Sequence, residues 1–124
     1  MADNTVYTTV GKAQVVDRLD ATSTVFMEFG EWGTGSTSDA VVGDTALQTE
    51  ASEARVAVTK SQPAADKNQA VWTQTAAGTK TITEAGVNTL VSGTGVLIIR
   101  RATFTGVALL AGDSITFTAS LQQT

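Results

Sequence analysis

The sequence predicts a mainly β protein, a single antiparallel β-sandwich or jelly-roll-like domain with a short N-terminal helix or arm. The prediction depends on three segments of the last third, which are rich in β-branched residues and set off by glycine: 79–87, 95–104 and 112–121. The last of these alternates strictly, because Ser or Thr separates its apolar residues Ile115, Phe117, Ala119 and Leu121. A period of two directs one set of side chains into a core and the other into solvent, as in a half-buried strand.

Composition limits both the size and the chemistry of the protein. Its 124 residues suit one folding unit, which we divide into an N-terminal arm or short helix over 1–22 and a β-sandwich domain over 23–124. The chain contains no cysteine and no histidine, which removes the commonest metal ligands and general base. We therefore expect no enzyme activity, no metal and no cofactor.

Charge and hydropathy argue against two classes of partner. The net charge is -4 and the eight Lys and Arg residues are scattered, whereas a nucleic-acid surface needs a basic stripe. No apolar run is long enough to span a bilayer, and the polar opening over 1–4 does not resemble a signal peptide. We expect no nucleic acid, no membrane and no small-molecule substrate as partners, and a protein that is made and used without export.

The first half of the chain predicts one helix and two strands. Apolar residues recur at helical spacing over Thr9 to Leu19, which predicts a short amphipathic helix, although the valines there suit a strand nearly as well. Residues 24–30 and 54–60 predict strands. The Gly- and Ser-rich stretch 31–43 predicts a loop, and 44–50 predicts a single helical turn capped by its first residue, Asp44.

The second half predicts a hairpin and two further strands. Residues 69–75 predict a strand that turns at 76–78 and returns along 79–87. Pro63 lies in a polar stretch expected to connect strands, and 105–111 is expected to connect the last two strands. The predicted core consists of Phe29, Val56, Val58, Trp72, Ile82, Leu97, Ile99, Phe104, Leu109, Ile115 and Phe117.

Two features are candidates for a site. Trp32 falls in the predicted loop, where it either packs half-buried over the edge of the sandwich or serves as a contact anchor for a partner. Arg100 and Arg101 are adjacent on a predicted strand and must point to opposite faces. One of them either reaches solvent at the end of the strand, or pairs with an acid such as Glu84 or with a neighbouring subunit.

Other motifs predict no site. The run Gly33 to Thr37 lacks the lysine that a phosphate-binding loop requires. The carboxylates around that run lack the spacing of a calcium loop.

Five motifs in order give the chain a resemblance to a known class of protein. They are Phe29 to Gly35 (FGEWGTG), Asp44 to Glu50 (DTALQTE), Thr81 to Gly86 (TITEAG), Arg101 to Gly106 (RATFTG) and Gly112 to Phe117 (GDSITF), with the single residue Arg55 between the second and the third. Together they resemble small accessory structural proteins of tailed bacteriophage particles. The chain departs from that pattern after Gly86, where such proteins often continue with Leu, an aromatic residue and Asp, and this chain has Val87, Asn88 and Thr89.

The resemblance implies a virion structural protein, assembled in the host cytoplasm. Within it, the favoured placement is a capsid decoration (cement) protein on the outside of the phage head, which binds the major capsid protein and itself as a homo-oligomer, with a trimer favoured. The alternative is a component of a tail fibre, neck appendage or adhesin. The expected contact residues are Trp32, Thr34, Tyr7, Arg100 and Arg101. A third hypothesis, a carbohydrate-binding β-sandwich module, requires exposed aromatic rings and has only Tyr7, Trp32 and Trp72 to use.

Overall fold

A computed structural model of the chain describes residues 4–19 and 27–122, with the side chains of 17–19 and 103–104 excepted. It confirms a mainly β protein in which antiparallel sheets pack together next to a short N-terminal helix. The helix of the described residues is α1 (Thr9–Leu19). The strands are β1 (Asn4–Tyr7), β2 (Phe29–Gly33), β3 (Val56–Ala57), β4 (Thr59–Ala64), β5 (Lys67–Thr75), β6 (Lys80–Asn88), β7 (Leu97–Leu109) and β8 (Ser114–Gln122).

The strands form two sheets of unequal width. The larger sheet has the order β1-β7-β6-β2-β3 and the smaller sheet has the order β4-β5-β8. All neighbouring strands are antiparallel. The N-terminal segment, expected to be a polar arm, contributes β1, which pairs with Ile99 to Ala102 of β7. This segment is therefore part of the larger sheet from Asn4 onward.

The core lies between the two sheets and centres on aromatic rings. The ring of Phe117 stacks on that of Trp72 at 4.9 Å and meets the ring of Trp32 edge-on at 6.3 Å. Trp72 belongs to one apolar cluster with Val87, Ile98, Ile99 and Leu121, and Trp32 belongs to a second with Ala76, Ile82 and Leu109. Phe117 packs against both clusters and joins them. Each large side chain buried in this way stabilises the fold by roughly 1.5 to 3 kcal/mol.

The predicted core is largely correct but leaves out Trp32, which is 0% exposed. Five of its residues are buried, namely Trp72, Ile82, Leu97, Ile99 and Leu109. Phe29, Val56, Val58, Ile115 and Phe117 are half-buried, and the side chain of Phe104 lies outside the described part.

Helix α1 confirms the helical alternative for its segment. Thr8 caps it, because the Thr8 hydroxyl oxygen accepts a hydrogen bond from the backbone N–H of Gly11 at 3.0 Å. Gly11 allows the helix to lie directly on β7, since a Cβ added there would come within 2.7 Å of the Ile98 backbone. The helix thus packs against the start of β7.

The predicted hairpin over 69–75 and 79–87 is wrong. These segments form β5 and β6, which lie in different sheets, and the chain crosses from one sheet to the other between Thr75 and Lys80. The crossing buries Trp72 and Ile82 in the core from opposite sides. A hairpin would have put both strands in one layer.

Three further boundaries differ from the prediction. Residues 44–50 do not form a helical turn. The predicted strand 54–60 divides at Val58 into β3 and β4, which join different sheets, and Pro63 lies within β4. Strand β7 continues to Leu109, through most of a segment expected to be a connection. Residues 24–26 of another predicted strand lie outside the described residues; of its remainder, 27–28 are not in a strand and 29–30 start β2.

Candidate binding surface

A buried arginine organises the outer face of the larger sheet. Arg100 is 1% exposed, and its guanidinium Nη1 donates to Asp44 Oδ2 at 2.8 Å and to the carbonyl oxygen of Asp39 at 2.9 Å. Its Nη2 donates to Glu84 Oε1 at 3.1 Å and to Ser38 Oγ at 3.2 Å. The planar fork of an arginine suits this arrangement because it presents several donors at fixed angles. One side chain of β7 therefore fixes three residues of a single loop.

Glu84 binds the same loop through backbone N–H groups. Its carboxylate accepts hydrogen bonds from the N–H of Gly35 at 3.0 Å, Gln48 at 2.8 Å and Thr49 at 2.7 Å. Residue Gly35 lies at the start of this loop and Gln48 and Thr49 at its end. The buried Glu84–Arg100 pair thus anchors the segment 34–50, here called the long loop, at its start, middle and end.

A second charged cluster anchors the connection between β6 and β7. Arg55 Nε and Nη2 donate to the two carboxylate oxygens of Glu50 at 2.8 and 2.9 Å. Arg55 Nη1 also donates to the carbonyl oxygen of Leu90 at 2.9 Å, and Nη2 to that of Gly93 at 2.9 Å. The segment 89–96, here called the short loop, is therefore held against the end of the long loop.

Glu31 lies beneath this cluster in an unusual environment. Its Oε2 is 2.6 Å from Arg55 Nε, but the N–H of that nitrogen is aligned with Glu50, so Glu31 and Arg55 form an ion pair without an aligned hydrogen bond. Burial raises the pKa of Glu31 to about 7, Arg55 partly opposes this, and the nearby carboxylate of Glu50 adds to it. Burial of the Glu31 carboxylate under the loops therefore brings its pKa close to neutral pH, where the ion pair with Arg55 is only partly charged.

The two anchored loops present apolar side chains to solvent. Val41 and Val42 of the long loop and Leu90 and Val91 of the short loop are between 43% and 56% exposed. The N–H of Thr9, just after β1, donates to Val42 O at 2.7 Å. Because β1 ends opposite the first residues of β7, and the short loop leads into β7, both loops lie at the same end of the larger sheet. We call these four side chains the apolar loop end.

Trp32 does not lie on this surface. It belongs to β2, its side chain is 0% exposed, and its indole N–H donates to Glu53 Oε1 at 3.2 Å. The loop predicted over 31–43 is wrong for its first three residues, which belong to β2, and correct for 34–43; the role of Trp32 as an exposed contact anchor is wrong. Burial raises the pKa of Glu53, but hydrogen bonds from Lys80, from the N–H of Ala77 and from Trp32 outweigh it and lower the pKa to about 2.

The structure separates the other predicted contact residues. Tyr7 is half-buried, lies opposite Ile99 and has its ring 5.6 Å from Lys12 Nζ, and burial raises the pKa of its hydroxyl. Thr34 is half-buried, and its N–H donates to Thr49 O at 2.9 Å. Arg101 is exposed and donates to Thr5 Oγ1 at 3.2 Å.

Arg100 confirms one of the alternatives for the arginine pair. It points to the face opposite Arg101 and pairs with Glu84, the acid named from the sequence. Arg100 is therefore a residue that positions the long loop and does not itself reach a partner.

Sequence reasoning missed the valines and leucine that face solvent, and it missed the roles of Asp44 and Glu50. The first and last residues of the DTALQTE motif are these two acids, and each binds a different arginine. The two acids of that motif could have indicated these ion pairs, but Asp44 was interpreted as the cap of a helical turn.

Comparison with known proteins adds no relative. No protein-family model, curated protein or solved structure matches the chain. The described residues contain no group of three or more carboxylate, cysteine or histidine side chains placed to hold a metal ion. In that same part of the chain, no helix is both long enough and apolar enough to cross a membrane.

Proposed function

We propose that this protein is a capsid decoration (cement) protein of a tailed bacteriophage, which binds the outside of the head and stabilises the shell. The observation that carries the proposal is the apolar loop end. Four aliphatic side chains are exposed on two loops at the same end of the larger sheet. Apolar side chains exposed at one end of a domain are a candidate protein-binding surface.

The anchoring of the loops supports a binding role. Surface loops lose conformational freedom when they bind, and that loss weakens association. Here Arg100, Glu84 and Arg55 fix the loops before any partner arrives, through ion pairs and backbone hydrogen bonds. A preorganised surface of this kind suits a protein that attaches to many identical sites on a lattice.

The five sequence motifs support the placement in a phage particle, because their resemblance is to accessory structural proteins of such particles. The contact residues proposed from that resemblance need revision, since Trp32 and Arg100 are buried. We place the contact instead on Val41 and Val42, which lie in the same Gly- and Ser-rich stretch. The carbohydrate-binding hypothesis loses its basis, because Trp32 and Trp72 are 0% and 5% exposed and cannot stack on a sugar ring.

The first experiment is a copy number. Quantitative mass spectrometry of purified virions gives the ratio of this protein to the major capsid protein. A copy number of the same order as the number of shell subunits supports decoration, because only the lattice offers that many sites. A handful of copies per particle overturns it and favours the tail fibre or neck appendage alternative.

The second experiment tests the surface. Particles that lack the protein are incubated with purified wild type or with Val42→Asp, and bound protein is counted after sedimentation. Leu110→Asp is the matched control, because Leu110 is equally apolar and 65% exposed but follows β7 at the other end of that strand. We expect Val42→Asp to lose binding and Leu110→Asp to keep it. Equal binding by the two variants contradicts the assignment of the contact surface.

A further inference from the structure

The free edges of the two sheets differ in how well they are protected against pairing with another strand. Unpaired edge strands tend to add further strands unless they are short or carry proline, bulges or charge. In the larger sheet the edges are β1 and β3, of four and two residues. In the smaller sheet, β4 carries Lys60, Pro63 and an irregularity in its register between Ser61 and Ala64. These three edges are protected.

Strand β8 has none of these protections. It is nine residues long and contains no charged residue and no proline. Within residues 4–19 and 27–122 it pairs with β5 alone. Along its outer edge, alternate backbone N–H and C=O groups therefore point away from the sheet, as they do in any antiparallel edge strand.

An open cleft adjoins this edge. It has a volume of about 670 Å³ and lies between the sheets, with Ile99, Arg101 and Thr5 on the side of the larger sheet and Phe117 and Ala119 on the side of β8. The cleft exists because the larger sheet has five strands and the smaller has three. The half-buried Ile115, Phe117 and Ala119 of β8 line it.

We propose that a second copy of this chain adds to the smaller sheet by antiparallel pairing of β8 with β8 about a two-fold axis at Thr118. Thr118 is the central residue of the strand, so the pairing matches its full length. It places Phe117 of one copy opposite Ala119 of the other, a large side chain against a small one, and Ile115 opposite Leu121. Residues directly opposite each other in antiparallel strands share a face, so the apolar face of β8 continues across the junction.

The two-fold axis also makes the cleft complementary to the second copy. Leu121 packs with Ile98 and Ile99, whereas Ile115 packs in the cluster of Ile82 and Leu109. Because β1 pairs only with Ile99 to Ala102, the uncovered part of β7, residues 103–109, lies beside the N-terminal half of β8, where Ile115 packs in the cluster of Leu109. Antiparallel pairing brings the C-terminal half of the other β8 to that place, so the two overhanging β1 strands fall at opposite ends of the junction.

The uncharged β8 permits a second copy as the occupant. The chain carries a net charge of -4, so two copies repel each other over most approaches. Because β8 is uncharged, its self-pairing brings no like charges into contact. The geometry therefore gives a two-fold dimer and not the trimer that the phage resemblance implies. The inference stands on β8 and the cleft, and is independent of the proposed capsid function.

Light scattering after size exclusion measures the oligomeric state. We expect wild type to elute with the mass of a dimer and Thr118→Lys with that of a monomer, because the pairing places two lysines opposite each other at the axis. Thr59→Lys is the matched control. Thr59, Val71 and Thr118 form one row across the smaller sheet, with Thr59 on the opposite edge, and both threonines are exposed. We expect Thr59→Lys to remain a dimer.

Disulfide trapping tests the position of the axis. The chain has no cysteine, and directly opposite residues in antiparallel strands have Cα atoms about 4.5 to 5.5 Å apart, which suits a disulfide. Oxidised Thr118→Cys is expected to form a covalent dimer, and Thr59→Cys is not. A monomeric or trimeric wild type, a Thr118→Lys dimer, or equal trapping at both positions overturns the proposal. If Thr118→Lys fails to fold, wild-type mass and cysteine trapping still decide it.

Discussion

Arg100 and Arg101 are neighbours on β7, yet their side chains meet opposite environments. Arg100 is buried between Glu84 and Asp44, and Arg101 is exposed on the other face. Removing one member of a buried pair leaves an uncompensated charge, which costs about 3 to 5 kcal/mol. We expect Arg100→Ala to lower the free energy of unfolding by that amount in urea denaturation, and Arg101→Ala to lower it by less than about 1 kcal/mol.

A double substitution distinguishes the effect of the charge pair on stability from the effect of the buried side-chain volume. Arg100→Met with Glu84→Gln removes both charges and keeps most of the buried volume. We expect the double variant to be more stable than Arg100→Met alone, because Glu84 no longer lies buried as an unpaired anion. Equal losses from Arg100→Ala and Arg101→Ala, or no recovery in the double variant, contradict the anchoring role.

Glu31 gives the protein a pH dependence of known sign. Its pKa is about 7 in the folded protein, against 4.5 for an ordinary glutamate. Between these values the folded state holds a proton that the unfolded state releases, so the stability falls as the pH rises from 4.5 to 7. Glu31→Gln replaces the titrating carboxyl group by an amide that does not titrate. We therefore expect the free energy of unfolding of wild type to fall by on the order of 2 kcal/mol more than that of the variant across that window.

Urea unfolding of both proteins at several pH values between 4.5 and 7.5 measures the difference. Glu28→Gln is the control, because Glu28 pairs with Lys60 at the surface at 3.0 Å, and it should keep the wild-type slope. Parallel pH profiles for wild type and Glu31→Gln would show that Glu31 is charged in the folded protein.

Glu53 acts in a different pH window. Its pKa is lowered to about 2, so the stability that its carboxylate contributes is lost as the pH falls from 4.5 towards 2.

At the scale of elements, predictability followed the strength of the local pattern. Strand β8 alternates strictly and was predicted, whereas the apolar spacing of α1 left helix and strand as alternatives, of which the structure has the helix. Both signals lie within the element itself. The membership of strands in sheets has no such signal, which is why β5 and β6 were joined as a hairpin: the short segment between them, 76–79, suits a turn or a crossing between sheets equally well.

Glycine misled the prediction around Trp32. The density of glycine there suggested a flexible loop, but Gly30 and Gly33 allow close packing within and beside β2. A Cβ at Gly30 would lie 2.2 Å from the ring of Trp72, and one at Gly33 would lie 2.3 Å from Thr49 O. These glycines let the sheets and the long loop approach β2, and they bury Trp32. A single sequence does not distinguish a glycine used for close approach from one used for a turn.

The candidate surface was predictable only in part, for a related reason. The pairing of Arg100 with Glu84 was one of the alternatives that an arginine on an apolar strand left open, beside exposure to solvent at the end of the strand. The contribution of Asp44 joins residues 56 positions apart, and no local pattern encodes it. The exposure of the valines in the long loop could not be predicted from the sequence either, because it depends on which side of the loop Arg100 and Glu84 bind.

At the scale of the whole molecule, the sandwich has two surfaces with separate consequences. The apolar loop end lies at one end of the larger sheet, and β8 lies at an edge of the smaller sheet. Substitutions at one surface therefore leave the other intact. A variant that loses self-association through Thr118 can still be tested for attachment to particles, and a variant that loses attachment through Val42 can still be tested for its mass.

Attachment to a shell predicts stabilisation by mass action. A protein that binds the assembled lattice and not its dissociated subunits shifts the equilibrium towards the lattice, by about 2.7 kcal/mol per site when its free concentration is 100 times the dissociation constant. We expect the disruption temperature of undecorated particles, followed by light scattering, to rise with added wild-type protein and to reach a plateau when the sites are full. Leu110→Asp should give the same curve and Val42→Asp a flat one. A rise that continues without a plateau, or that Val42→Asp reproduces, would indicate a nonspecific solvent effect and would exclude cementing through the apolar loop end.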